Sequence, residues 1–166
     1  MRQPFERLVS AYNAKMTNYV SDQSDFYAKV SRDISNKVRS LRENEAERSM
    51  VRDGFATFED FVNYLLITPQ KDMHWREYET ICQPCLHDYD MILKFETFND
   101  DFRYLKRYLN VSEYHSPAFF PPRTPRTDKH LTQSFMTSLS PMLRKRLYQM
   151  YQHDFEMFGY EKPWYV

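Results

Sequence analysis

Glycine is nearly absent from this sequence of 166 residues, which contains two. The loops that cradle phosphates in Walker A and Rossmann sites need several glycines at fixed spacing. The sequence contains neither motif, and its scarcity of glycine argues against both kinds of nucleotide site.

Long apolar runs and an excess of charge are also missing. No stretch is long and apolar enough for a membrane span, and the first residues are amphipathic and charged, unlike a signal peptide. Taken alone, this pattern predicts a soluble cytosolic protein. Lys plus Arg and Asp plus Glu total 23 each, so the formal net charge is zero. That balance gives no support to nucleic-acid or acidic-membrane binding, and any anion site must be local.

The composition is that of a globular protein rich in aromatic residues. Hydrophobic residues make up 42% of the chain and aromatic residues 17%, with 28% charged. A chain of this length is expected to form one domain with a core of its own. We therefore treat residues 1–166 as a single domain.

Apolar spacing predicts helices in the first half of the chain. Residues 4–16 carry apolar side chains at helical intervals, and Pro4 suits a first helical position. Residues 21–50 are polar with a narrow apolar stripe, which predicts one or two helices before Gly54 breaks the pattern. Thr57, with Asp60 in a box-like position, is expected to cap the helix FEDFVNYLLI.

The second half contains the best strand candidate, YDMILKF at 89–95, which is short and apolar between polar residues. Thr97 or Asn99 is expected to cap the next helix, and residues 112–130, with four prolines, are expected to form a surface loop. Ser140 and Pro141 predict the start of a final helix that ends at Gly159. The expected fold is helix-rich with few strands, and a lone strand is not stable by itself.

The opening segment is the first candidate site. A helix N-terminus attracts phosphate through free N–H groups and its dipole. Arg2, just before the helix, can add a bidentate fork, and Ser10, two turns in, can donate one more hydrogen bond. Arg7 is a weaker candidate. The alternative is a solvated surface helix whose arginines pair with Glu6.

The pair Cys82 and Cys85 leaves three interpretations open. A zinc site needs two more ligands, which His or Asp side chains nearby would have to supply. A redox-active pair normally opens a helix after a strand, whereas this stretch is polar and irregular. A local structural disulfide requires an oxidising compartment, and two cysteines with none to spare fit it. Two free buried thiols are a further alternative.

Two further residues are candidates for chemistry. His74, beside Trp75, is a weak candidate for a general base; the alternative is a surface histidine next to a packing tryptophan. Glu96 ends the predicted strand, where carboxylates often belong to active sites, although it also suits pairing with Lys94 or capping the next helix.

A basic group and a glycosylation triplet complete the candidates. This basic group is equally compatible with a site for an anionic ligand and with a solvated face. Its members are Arg123, Arg126, Lys129, His130 and residues 144–146. Asn110 opens an Asn-Val-Ser triplet, the acceptor for N-glycosylation. Together with the cysteine pair, this triplet favours a secretory-pathway protein.

Three ordered blocks of the sequence resemble one family. RQPFERLVSAYNAK supplies every letter of the pattern R-x-P-F-x-R-L-x-S-x-Y-x-x-K from Arg2 to Lys15. HW and then ICQPCLHDYDMILKFET follow, and YQHDFEMFGY lies near the end. The chain thus resembles the Golgi carbohydrate sulfotransferases, in the branch with the chondroitin and dermatan 4-O-sulfotransferases and the HNK-1 sulfotransferase.

The resemblance implies a three-layer α/β, P-loop-like sulfotransferase fold with a central parallel sheet. It implies 3′-phosphoadenosine 5′-phosphosulfate as donor, without a metal, and a glycan or glycosaminoglycan hydroxyl as acceptor. By motif match, Arg2 and Ser10 would hold the donor's 3′-phosphate. It also implies the lumenal side of the Golgi membrane, which replaces the cytosolic prediction, although this chain has no membrane span.

The resemblance covers the C-terminal part of such an enzyme. The family's loop that grips the 5′-phosphosulfate and its signal anchor have no counterpart in the chain, and the family's catalytic base is expected upstream. We therefore expect an α/β domain that is truncated and incomplete for catalysis. The alternative is a non-catalytic remnant of the family that binds an anion or a glycan. A zinc-binding domain built on the cysteine pair is a third interpretation.

Overall fold

The computed structural model describes residues 1–17, 24–41, 56–69, 72–111 and 128–166. Gly54, Arg123, Arg126 and most of the proline-rich segment lie outside these residues. The described elements are, in chain order, α1 (Pro4–Tyr12) with a π-helical turn (Asn13–Thr17), α2 (Ser24–Ser40), α3 (Phe58–Ile67), α4 (Tyr78–Cys82), α5 (Phe98–Tyr108), α6 (Lys129–Thr137) and α7 (Pro141–Met157).

The helix starts follow the local rules of capping. Pro4 occupies the first turn of α1, and the side chain of Gln3 accepts the N–H of Glu6 at 2.7 Å. Thr57 and Asp60 form a complete capping box at the start of α3, as predicted. Ser140 accepts the N–H of Leu143 and starts α7. These ends depend on neighbours in sequence, so the sequence alone predicts them.

Helices α1, α3 and α7 share one aromatic core. Helix α1 packs against α6 and α7, and α3 packs against α2 and α7. The ring of Phe5 meets Phe155 edge-on at 5.0 Å, and Tyr12 meets Phe58 at 5.1 Å. Such edge-to-face pairs stabilise a core beyond the area they bury. The core therefore holds α1, and with it the opening segment, in a single orientation.

The apolar stripe predicted for α2 is only partly buried. Ile34 and Val38 are buried, but Phe26 is 61% exposed and Leu41 is exposed as well. Tyr27 beside Phe26 is buried instead. The short helix α4 lies in the stretch around the cysteine pair, which the sequence analysis described as irregular, so the sequence did not predict it.

The prediction of a strand at 89–95 is wrong, because the described ranges of the chain contain no strand. The N-terminal amine of Met1 donates to Leu93 O at 2.5 Å, and Phe95 N–H donates to Met1 O at 2.6 Å. Two hydrogen bonds from one residue to residues two apart on the other segment are the pattern of a parallel strand pair, but here Met1 is the single residue on its side. A ladder needs more partners than that, so the segment is extended without being a strand.

Candidate functional site

Arg2 lies at the start of α1 against the 93–96 segment. Its guanidinium carbon lies 4.9 Å from the centre of the Phe95 ring, and one guanidinium nitrogen is 3.5 Å from Glu6 Oε2. The backbone N–H of Arg2 donates to the Tyr78 hydroxyl at 3.1 Å. The cation is thus positioned by an aromatic face, a carboxylate and a backbone contact.

Glu6 and Ser10 are four residues apart on α1 and share one ridge of the helix. Arg2 precedes the N-cap Gln3 and reaches that ridge through its contact with Glu6. Glu6 and Ser10 are about 6 Å apart along the helix axis. A ligand that extends from Arg2 to Ser10 must therefore pass the carboxylate of Glu6. The sequence pattern showed Arg2 and Ser10 as a pair, and the carboxylate between them was considered only as a partner of the arginines.

The carboxylate of Glu6 is buried. Burial raises the pKa of Glu6, and the neighbouring Arg2 opposes that rise. A raised pKa eases protonation of Glu6 when an anion approaches. The ridge can therefore lose one negative charge at the position where a phosphate would lie.

Arg7 faces away from this ridge. Its guanidinium carbon lies 3.9 Å from the centre of the Tyr78 ring, and it donates a hydrogen bond to the backbone oxygen of Arg76. These contacts hold the 76–78 segment against α1. They give Arg7 a structural role, and the weaker prediction that it binds phosphate stays untested.

Glu96 joins the start of α1 to the end of the chain. Its Oε1 accepts the backbone N–H of Gln3 at 2.7 Å, and its Oε2 accepts the Tyr160 hydroxyl at 3.1 Å. Burial and the adjacent Glu96 raise the pKa of Tyr160 well above its usual range. Lys94 lies over the Tyr160 ring at 4.7 Å and donates to Gly159 O at 3.4 Å. The carboxylate that the sequence placed at a strand end therefore orders the N-terminal segment.

A cavity of about 640 Å³ opens beside this junction. It lies between the start of α1, the start of α6 and residues 159–165. Its walls include Glu6, Glu96, Lys129, Thr132 and Trp164. Of these, the sequence singled out only Glu96 and Lys129 as candidates, because nothing in the local pattern of α6 or of the C-terminal segment shows that they meet.

His74 lies elsewhere on the surface, and its side chain is 41% exposed. Its Nδ1 is 2.6 Å from Asp72 Oδ1, and its ring meets Tyr27 edge-on. Burial alone would raise the pKa of Asp72, but the hydrogen bonds from His74 outweigh it, so the pKa of Asp72 is lowered. Trp75 is buried in the core. This is the arrangement of a surface histidine beside a packing tryptophan, and His74 is not part of the cavity wall.

Cys82 and Cys85 flank the end of α4 as free thiols. Gln83 between them adopts a left-handed conformation with φ of 46°, which turns the chain sharply. Asn110 is exposed just past the end of α5, also with a positive φ of 52°. In the described ranges, no three His, Cys, Asp or Glu side chains are grouped as metal ligands.

The described part of the predicted basic group is divided between two helices. Lys129 and His130 open α6, and only Lys129 borders the cavity. Lys145 and Arg146 are exposed on α7. Within the described ranges, no helix is both long and apolar enough to cross a membrane.

Comparison with known proteins identifies the family. Residues 1–161 match the model of a family described as the sulfotransferase family. The chain belongs to the sulfotransferase family. The match includes all three blocks that the sequence analysis identified, which confirms the resemblance.

Curated relatives of this sulfotransferase chain are named carbohydrate sulfotransferases. It is 33% identical to carbohydrate sulfotransferase 11 of Rattus norvegicus, over 100% of this chain and 47% of that protein. It is 34% identical to carbohydrate sulfotransferase 8 of Mus musculus, over 98% of this chain and 39% of that protein. The chain thus spans less than half the length of these relatives. No solved structure matches it significantly.

Proposed function

We propose that this sulfotransferase chain belongs to an enzyme that transfers a sulfuryl group from 3′-phosphoadenosine 5′-phosphosulfate to a glycan hydroxyl. Its family and the names of its relatives support carbohydrate sulfation. In the reaction, the acceptor oxygen forms a bond to sulfur while the bond from sulfur to the phosphate oxygen breaks in line. The acceptor proton passes to a base, and cations stabilise the leaving phosphate.

In this proposal the ridge of α1 holds the 3′-phosphate of the donor. The observation that carries it is the contact of Arg2, just before the helix start, with Glu6, which shares a ridge of α1 with Ser10. A dianionic phosphate is a stronger partner for the Arg2 guanidinium than the single, buried carboxylate of Glu6. The ligand would thus displace Glu6 from Arg2 and extend toward Ser10.

The base and the location follow from the family resemblance. A base upstream of Arg2 stays a prediction from the resemblance. The alternative within the chain, His74, stays a prediction: Asp72 binds its Nδ1, and such a carboxylate orients an imidazole so that Nε2 can accept a proton. We propose the lumenal side of the Golgi membrane as the location.

Titration of the chain with adenosine 3′,5′-bisphosphate by calorimetry tests the phosphate site. Hydrogen bonds to charged groups contribute about 1.5–3 kcal/mol, so Arg2→Ala should weaken binding by about tenfold to a hundredfold. Ser10→Ala should weaken it less. Arg103→Ala is the matched control, because Arg103 is exposed on α5 and pairs with Asp100. Unchanged affinity in Arg2→Ala, with the fold intact by circular dichroism, contradicts the phosphate role.

A transfer assay separates the enzyme from the non-catalytic alternative. The chain is incubated with labelled donor and a panel of unsulfated glycans, and label on the glycan is measured. Transfer that requires Arg2 supports the enzyme. Tight bisphosphate and glycan binding without transfer supports a binding remnant of the family.

A further inference from the structure

The cavity beside Glu96 has a composition that the phosphate ridge does not explain. We propose that it binds an uncharged sugar residue, a hexose or N-acetylhexosamine unit of the glycan. This inference deepens the proposed function, because it assigns a place on this chain to the acceptor class.

Charge balance is the first observation. The wall carries three carboxylates, on Glu6, Glu96 and Glu161. It also carries three ammonium groups, on Lys94, Lys129 and Lys162. A phosphate, a sulfate or a uronate would gain attraction from one set and meet repulsion from the other. A ligand that both donates and accepts hydrogen bonds without net charge suits both sets. The hydroxyl groups of a neutral sugar have that property.

Thr132 is the second observation. It is 2% exposed on the cavity wall, and within the described part of the chain its Oγ1 has no hydrogen-bond partner. A buried hydroxyl without a partner costs about 1–3 kcal/mol. A hydroxyl group has both a donor and acceptors, so a sugar hydroxyl or a hydrogen-bonding water can satisfy it. The cavity wall therefore includes, within the described residues, a buried hydroxyl with unused hydrogen-bonding capacity.

The third observation is an aromatic platform at the opening. Trp164 is 77% exposed on the cavity wall, and Tyr165 meets its ring at 5.6 Å between centroids. Tyr165 itself packs against the core, so the indole is supported from behind. An indole this exposed is a common feature of binding surfaces. The C–H face of a pyranose ring packs flat on such a surface, while its hydroxyl groups reach the polar wall.

The size and position of the cavity agree with this ligand. Its volume of about 640 Å³ lies within the usual range of small-molecule sites, roughly 300–1,000 Å³. Gln3 and Glu6 belong to its wall, so the cavity adjoins the proposed phosphate ridge without including Arg2. A sugar and a donor phosphate can therefore occupy neighbouring positions.

Saturation-transfer NMR and calorimetry of the chain test the proposal with three probes: N-acetyllactosamine, an unsulfated disaccharide that contains a uronate, and adenosine 3′,5′-bisphosphate. We expect the neutral disaccharide to bind, with saturation strongest on the ring that contacts Trp164. Trp164→Ala and Thr132→Val should each weaken it about fivefold, as expected for one stacking contact or one hydrogen bond.

Matched controls keep the test independent of folding. Tyr104→Ala removes an exposed aromatic ring on α5, and Thr137→Val removes a hydroxyl of α6 that binds Gln133 O. Both should leave disaccharide affinity unchanged, and Thr132→Ser should restore most of it. Absence of disaccharide binding, or wild-type affinity in both cavity variants, overturns the inference. Preference for the uronate disaccharide also overturns it.

The bisphosphate separates this inference from the proposed function. Its affinity should depend on Arg2 and stay unchanged in Trp164→Ala and Thr132→Val. If those two variants lose bisphosphate binding, the cavity belongs to the nucleotide and the sugar assignment is wrong. If Arg2→Ala leaves bisphosphate affinity unchanged while disaccharide binding needs Trp164, only the phosphate site fails.

Discussion

The carboxylate of Asp154 accepts the backbone N–H of Tyr78 at 2.7 Å. It also accepts the N–H of Glu79 at 2.9 Å. The two amides belong to the first turn of α4, where Glu77 provides no side-chain cap. Asp154 is 1% exposed; burial raises its pKa, although the two hydrogen bonds oppose the rise. An acidic residue of the final motif thus caps a helix 76 residues earlier.

Loss of this cap should destabilise the protein. Asp154→Ala leaves two backbone amides of α4 without their acceptor and empties a buried position, and we expect the free energy of unfolding to fall by about 2–3 kcal/mol in urea denaturation. Asp154→Asn keeps an acceptor oxygen and should cost less. Glu156→Ala, an exposed change on the same helix, is the control. Equal stability of Asp154→Ala and Glu156→Ala contradicts the capping role.

Glu6 should make stability fall as the pH rises. Its pKa in the folded protein is raised above the ordinary 4.5, so folding favours its protonated form. The resulting stabilisation is complete below about pH 4 and is lost as the pH rises through the folded pKa. Glu6→Gln removes this dependence. Urea denaturation at several pH values should therefore show the wild type losing stability relative to Glu6→Gln; two parallel profiles would exclude the effect.

Glu6 should also oppose the binding of phosphate to the ridge. Glu6→Gln removes a carboxylate between Arg2 and Ser10, and we expect it to strengthen bisphosphate binding by about three- to tenfold. For the same reason wild-type affinity should rise as the pH falls toward the pKa of Glu6, and the variant should lack this rise. Calorimetry at two pH values measures both effects. Weaker binding by Glu6→Gln would show that the carboxylate supports the site.

The cysteine pair should respond to the compartment of expression. The interpretation of the pair as a local disulfide predicts no titratable thiol in protein from the secretory pathway and two in protein from a reducing cytosol. Closing so short a loop should add about 2 kcal/mol to the free energy of unfolding. Thiol titration and denaturation with and without reductant measure both, with Cys82→Ser as the control. Two titratable thiols in secreted protein would contradict the disulfide.

Local sequence was sufficient where the physical cause is local. The Thr57–Asp60 box, Pro4 in the first turn of α1 and the start of α7 at Ser140 each depend on groups within three or four residues. Gly159, with a φ of 61°, follows the end of α7 as predicted. The ordered motifs were also sufficient for the family, because the family match covers all of them.

Contacts between distant residues needed the tertiary structure. The segment 89–95 has the composition of a strand, but a strand exists only with partners, and within the described part of the chain its strand-like pairing is with Met1 alone. The sequence showed Arg2 and Ser10, and helical spacing alone puts Glu6 on one ridge with Ser10; only packing shows that Glu6 is buried and contacts Arg2. The cavity joins the start of α1 to Thr132 and Trp164, which are far apart in the chain. Burial and charge balance arise from packing, so the sequence determined the family and most of the helices, while the tertiary structure decided the short helix α4 and the surroundings of the site.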